Sequence, residues 1–298
     1  MSILAFAAHA ALAADRPWPL PADAKALAVN GYEITYVERG QPAGAAPTVL
    51  LLHGVGGDYR SMLPLAARLE SRYHVVVPSL RHHFPEHWDG RGGDYAFAQH
   101  ARDVAALIRQ LGVGPVHLFG ETYGATVAVL VARDAPQVLR SATSYAGMLA
   151  AREYMPPRST DEGAKEAERT RLMAAALARG NEEEALRVHR DVIAGDGAWA
   201  RSPEPYKQAM RDNVRTVAAL FADELVSIPC DGLGAIRVPL LMLVGDKSHP
   251  ASRKATENAL ACLPQARSGV VPGGVGSSQV ATDEVAKAFV AFIESVGR

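Results

Sequence analysis

A surplus of charge of either sign is what this sequence lacks. Its 31 basic and 32 acidic residues nearly cancel and no run of like charge exceeds three residues, which excludes the electrostatic footprint of a nucleic-acid or anionic-membrane binder. A small-molecule ligand is the default partner, and nothing bears on oligomeric state. Cysteine is scarce too: Cys230 and Cys262 are the only two. They allow one disulfide in an oxidising compartment or two buried thiols, and neither supports a metal site. The apolar start, Ile3 to Ala13, has eleven residues, too few to cross a bilayer, and no integral membrane segment is expected. It ends in an A-x-A-like site, Ala11-Leu12-Ala13, without a basic n-region. Residues 1–23 therefore read as a truncated signal peptide and N-terminal segment, or as a short hydrophobic helix. The first reading implies a periplasmic or secreted protein, the second a cytoplasmic one. Internal repeats and low-complexity segments are absent.

What is present is enough apolar residue, 48% of 298, for one sizeable core with an insertion. Ala26 to Val29 and Tyr32 to Glu38 alternate around Asn30-Gly31, the signature of an antiparallel hairpin with a two-residue turn. Buried-type runs follow at Thr48 to Leu52, His74 to Val77 and Val116 to Phe119, separated by helix-patterned segments at Tyr59 to Ser71 and Phe97 to Leu111. Strands alternating with helices predict a parallel sheet covered on both faces. Leu139 to Tyr145 is a weaker strand because Ser141, Thr143 and Ser144 interrupt it. Residues 149–235 are charged, alanine-rich and helical in period, with no convincing strand. The sheet pattern resumes with Val238 to Val244, a helix through Leu263, Ser268 to Val271, and a closing helix from Val280 to Val296. The core is thus expected over 24–148 and 236–298, with a helical cap at 149–235.

Gly120-Glu121-Thr122-Tyr123-Gly124 sits between a predicted strand and a predicted helix and keeps the two glycines of the G-x-S-x-G elbow, with threonine in place of serine. With His53-Gly54-Val55-Gly56-Gly57 after an earlier strand, this order of elements resembles the α/β-hydrolase superfamily from about Ala26 to Phe292. Val29-Asn30-Gly31-Tyr32, Tyr36 to Gly40, Ser79 to His83 and Trp88-Asp89-Gly90 are similar to a group of bacterial, often exported, members. The resemblance implies an α/β fold with a mostly parallel eight-stranded sheet, helices on both faces and a helical cap.

It also implies an oxyanion hole, formed here by the backbone N–H groups of Tyr123 and Val55, with the glycines from Gly54 on letting the loop approach a ligand. The triad that such a hole serves is substituted throughout. Thr122 takes the nucleophile position, Gly276 stands where the family has its histidine base, and Ser248 stands where it has its acid. The other acid position the superfamily uses falls on Ala146 and Gly147, and no histidine follows His249. An efficient serine-type esterase is not expected from this set.

Candidate substitutes are Glu121 as a general base, against the family tendency of this residue to pair beneath the turn, and His249, against a solvated loop role. Arg81 and His82, after a strand whose C-terminal end faces the ligand crevice, are candidate ligand contacts. His82, His83 and His87 lack a zinc-site frame, and no metal or cofactor is expected. Met148, Leu149, Tyr154, Met155, Trp199 and Phe221 supply apolar surface for the cap or its pocket. Three functions stay open: a lyase-, isomerase- or cyclase-type enzyme using the hole on a carbonyl compound, a ligand-binding pseudoenzyme, and a slow Thr122-dependent ester hydrolase.

Overall fold

The computed structural model describes residues 21–151, 161–222, 227–274 and 283–297. The chain opens with the hairpin of β1 (Lys25–Val29) and β2 (Tyr32–Gly40), whose turn residues Asn30 and Gly31 both have positive φ, 50° and 75°. Those values match the two left-handed positions of a type I′ turn. There follow β3 (Thr48–Leu52), α1 (Tyr59–Leu69), β4 (His74–Pro78), α2 (Phe97–Leu111), β5 (Val116–Glu121), α3 (Tyr123–Asp134) and β6 (Leu139–Tyr145). After an insertion come β9 (Leu240–Gly245), α10 (Pro250–Ala261), β10 (Arg267–Val271) and α11 (Asp283–Ser295).

Eight of these strands form one sheet in the order β1-β2-β4-β3-β5-β6-β9-β10, in which β2 alone runs against the rest. Alternate residues of each strand face opposite layers, as the period of two requires. Leu50, Leu52, Val76 and Leu118 pack with α2 and α3, whereas Val49, Leu51, Val75, Val77 and Phe119 pack with α1 and α11. Both faces are dry, which is why these strands read as continuous apolar runs. The weak-looking β6 is an interior strand paired with β5 and β9, and its Ser141 Oγ lies 2.8 Å from Nδ1 of buried His117.

Between β6 and β9 lie α4 (Asp161–Ala178), α5 (Glu182–Ala194), α6 (Ala198–Arg201), α7 (Glu204–Asp212), α8 (Val214–Ala222) and α9 (Cys230–Gly234). Two strands that the sequence pattern did not show, β7 (Ala150–Ala151) and β8 (Ser227–Ile228), pair in parallel where the insertion leaves and rejoins the core. At two residues each they are too short to carry a period. Met173, Leu186, Trp199, Met210, Val214 and Val217 form the insertion's own apolar cluster, and Leu149 belongs to the main core. Tyr154, Met155 and the Phe221 side chain fall outside the described portion. Cys230 and Cys262 are joined in a disulfide, with Cα atoms 4.8 Å apart, tying the start of α9 to the end of α10.

Candidate active site

Thr122 links β5 to α3 at φ 44° and ψ −100°, a conformation that an L-residue with a branched Cβ adopts only under constraint. The flanking glycines explain the constraint. A Cβ on Gly120 would strike the backbone of Gly124, and one on Gly124 would come 2.6 Å from the His53 carbonyl. The helix therefore starts almost in contact with the strand, and the turn between them has no room to relax.

Above the turn, the loop after β3 brings Val55 N–H to donate to Thr122 Oγ1 at 3.3 Å. Glu121, the last residue of β5 and 3% exposed, lies on the same side. A Cβ placed on Gly54 would stand 2.5 Å from Thr122 Oγ1 and 3.2 Å from Glu121 Oε2, so hydroxyl and carboxylate share the space against Gly54. Among the described residues, no histidine hydrogen-bonds the Thr122 hydroxyl. Tyr123 opens α3, and its N–H points out of the helix N-terminus with the positive end of the helix dipole.

Two buried histidines fix the loop. His53 Nε2 accepts from Leu80 N–H at 3.0 Å and its Nδ1 lies 3.0 Å from the Gly54 carbonyl, so Nδ1 carries the proton and the ring is neutral. His83 donates from Nδ1 to the Gly57 carbonyl at 2.7 Å. Burial lowers the pKa of both rings, that of His83 well below the usual value with the neighbouring His53 and His100 adding to the effect. Deeper in, Tyr123 Oη sits 2.6 Å from His100 Nδ1, which packs the residue after Thr122 against α2.

The insertion is clasped to this loop. Asp58, the N-cap of α1, is wholly buried. It accepts from Arg60 N–H and Nε at 2.9 Å, from Arg60 Nη2 at 2.7 Å and from Asn213 Nδ2 at 2.8 Å. Asn213 Oδ1 takes Phe84 N–H at 2.7 Å, and Arg60 also reaches Asp212 at 2.7 Å. Met210 and Val217 descend onto Gly56, where a Cβ would meet Met210 Sδ at 2.5 Å. Sequence reasoning missed this clasp, since Asp58, Arg60 and Asn213 belong to no motif. The one available signal was an N-cap aspartate before a helical pattern.

Ser248 Oγ accepts from Gly245 N–H at 3.1 Å and closes its own turn. The loops after β9 and β10 are zipped together by Gly273 N–H on Asp246 Oδ1 and Lys247 N–H on the Gly273 carbonyl, both 2.7 Å. Tyr145 Oη donates to the Gly274 carbonyl at 3.0 Å. Gly276 lies outside the described residues. His249, half-buried, follows Ser248 immediately before α10.

Arg81 and His82 belong to a different network. Arg81 is 6% exposed and grips Asp103 through Nε at 2.8 Å and Nη2 at 3.1 Å, and Asp94 at 2.9 Å. His82 stands between Asp94 at 2.8 Å and Glu86 at 3.3 Å and stacks on Trp88. Burial lowers the His82 pKa and raises that of Glu86 to about 7. Both side chains are thus engaged with protein partners in this structure. Among the described residues no three His, Cys, Asp or Glu side chains converge as metal ligands, and no helix is long and apolar enough to cross a membrane.

The model of the alpha/beta hydrolase family matches residues 49–289. The chain belongs to the alpha/beta hydrolase family. A hydrolase from Pseudomonas aeruginosa PA01 shares the fold with a TM-score of 0.73 at 19% identity, over 92% of this chain and 98% of that one. The esterase RhEst1 from Rhodococcus sp. ECU1013 does so with a TM-score of 0.71 at 22% identity, over 92% and 100%. At these identities the likeness establishes architecture alone. An uncharacterized Mycobacterium tuberculosis protein is 30% identical over 111 residues, which are 37% of this chain and 31% of the relative. The match thus takes in less than a third of that relative's length.

Proposed function

We propose that this alpha/beta hydrolase family protein binds a small carbonyl-bearing molecule beneath its helical insertion and moves a proton on it without forming an acyl-enzyme. The convergence of Glu121 Oε2 and Thr122 Oγ1 on Gly54, next to Val55 N–H, carries this reading. The N–H groups of Val55 and Tyr123 hold the carbonyl oxygen, where negative charge develops as the α-carbon loses its proton. Glu121 accepts that proton and returns it to another carbon of the same enolate in an isomerase step, to the leaving group expelled as the double bond forms in a lyase step, or to the oxygen of a second carbonyl that the enolate carbon attacks in a cyclase step. Thr122 keeps its hydroxyl on the oxyanion side as a donor. No histidine hydrogen-bonds it among the described residues, and the carboxylate beside it, Glu121, is assigned to the substrate proton. The Cys230–Cys262 disulfide supports a periplasmic or secreted location, where such bonds persist.

Deuterium uptake at the α-carbon of a panel of small ketones and lactones in D2O, followed by proton NMR, tests the step. Glu121→Gln is expected to slow uptake by about 100-fold or more, the range of a positioned acid–base group, with the fold unchanged by circular dichroism. A stoichiometric burst of p-nitrophenol from p-nitrophenyl acetate that Thr122→Ala abolishes would establish the ester-hydrolase alternative instead. Ligand binding with uptake no faster than in buffer would establish the pseudoenzyme.

A further inference from the structure

The insertion carries a polar layer that the elbow chemistry leaves unused. α4 and α5 pack side by side across a three-residue connection, 179–181, and therefore run antiparallel. On α4, Arg169 lies one turn before Met173; on α5, His189 lies one turn after Leu186; on α7, Tyr206 lies one turn before Met210. Met173, Leu186 and Met210 belong to the apolar cluster against which Val55 packs. On the antiparallel pair α4 and α5, one turn back and one turn forward are the same direction in space, so Arg169 and His189 stand at one level beyond that cluster.

That level is buried and basic. Arg169 is 7% and His189 3% exposed. Arg190, beside His189, holds its guanidinium 4.9 Å from the centre of the Tyr206 ring. Its Nε is shielded from water and has no hydrogen-bond partner, and no carboxylate among the described residues pairs with it. Burial first, then the charges of Arg169 and Arg190, keep His189 neutral, its pKa held down to about 3. The two guanidiniums thus act on one point. Burial also lowers Arg169 to about 10. At Tyr206, burial dominates, and beneath it the charges of Arg190 and Glu121 pull in opposite directions, so the layer lies within electrostatic reach of the elbow.

We propose that this layer recognises the carboxylate of an anionic, carbonyl-bearing substrate, with Arg190 as principal ligand and Arg169, His189 and Tyr206 around it. A planar carboxylate matches the guanidinium fork, and supplying an anion to the sheltered Nε of Arg190 satisfies it. The assignment rests on the reading that the carbonyl lies at Val55 only for where the rest of the substrate goes. The anion site itself takes no ligand from Glu121 or Thr122.

Titration calorimetry with 4-oxopentanoate, which has both groups, and with its neutral methyl ester tests the assignment. The acid is expected to bind at least about tenfold more tightly than the ester. Arg190→Gln erases that preference and Arg190→Lys restores part of it. Equal binding of acid and ester, no binding of the acid at millimolar concentration, or an undiminished preference in Arg190→Gln overturns the proposal. If Arg190→Gln does not fold, peptide mapping of native protein treated with phenylglyoxal decides: the acid, and not the ester, must protect Arg190. Retained preference together with failed α-proton exchange in the native protein would leave the anion site standing and remove the proton-transfer reading.

Discussion

Thr122 sits in a constrained turn between strand and helix. At φ 44° and ψ −100° a β-branched residue carries strain of about 1–3 kcal/mol, and its compensating bond from Val55 N–H is long at 3.3 Å. Thr122→Gly is therefore expected to raise the unfolding free energy by about 1 kcal/mol, since glycine relieves the strain and the lost bond returns less than that. Urea denaturation of the two proteins measures it, and a net loss of stability would show that the turn is relaxed. The location of Thr122 and of the glycines around it was legible, because close approach leaves glycine no substitute and such positions form motifs. The direction of Glu121 was not, because nothing in Gly120-Glu121-Thr122 fixes whether a carboxylate turns beneath the elbow or toward Gly54. His53 and His83 escaped notice for a related reason: their partners are backbone groups of Leu80, Gly54 and Gly57, which any sequence would offer.

Among the elements, the junction of α7 and α8 decides how firmly the insertion sits on the loop after β3. Asn213 is 2% exposed and satisfies Asp58 Oδ2, Phe84 N–H and the Ala209 carbonyl at once. Asn213→Ala leaves Phe84 N–H without its acceptor and removes one donor from a wholly buried carboxylate, a loss of about 2–3 kcal/mol. Hydrogen exchange is expected to show the amides of α7 and α8 opening faster while those of β3 and β5 keep the protection of the core. Equal loss of protection in both regions would mean that insertion and sheet unfold as one unit. The central strands were readable from the sequence because both their faces are apolar. β6 was faint because Ser141, Thr143 and Ser144 interrupt its apolar run, and the partner of Ser141, His117, is distant in sequence. The clasp was invisible because Asp58 and Asn213 are 155 residues apart, and only the completed fold brings them together.

For the molecule as a whole, the scattered neutral histidines set the response to acid. Burial lowers the pKa of His53, His74, His82, His83, His100, His117 and His189. His100 and His189 are brought to about 3 and His117 to about 4. As pH falls below 6.5 the unfolded chain takes up protons that the folded chain refuses, and each such histidine withdraws about 1.4 kcal/mol per pH unit until its folded pKa is reached. Glu86 acts oppositely: its folded pKa, raised by burial to about 7 from 4.5, makes the fold gain stability as pH falls through that interval. One carboxyl cannot balance three histidines that stay neutral to 4 or below. The net of at least two protons costs about 5 kcal/mol between pH 6.5 and 4.5, comparable with the whole stability of an ordinary domain. Stability should therefore be greatest near neutral pH and collapse as pH approaches 4.5. His117→Asn, which can still bond Ser141 Oγ, tests the origin of the slope. Urea unfolding at a series of pH values is expected to show the dependence between about pH 6 and pH 5 reduced by one proton, about 1.4 kcal/mol per pH unit. An unaltered slope would assign the acid sensitivity to carboxylates released from their ion pairs, and would leave His117 titrating alike in the folded and unfolded chain.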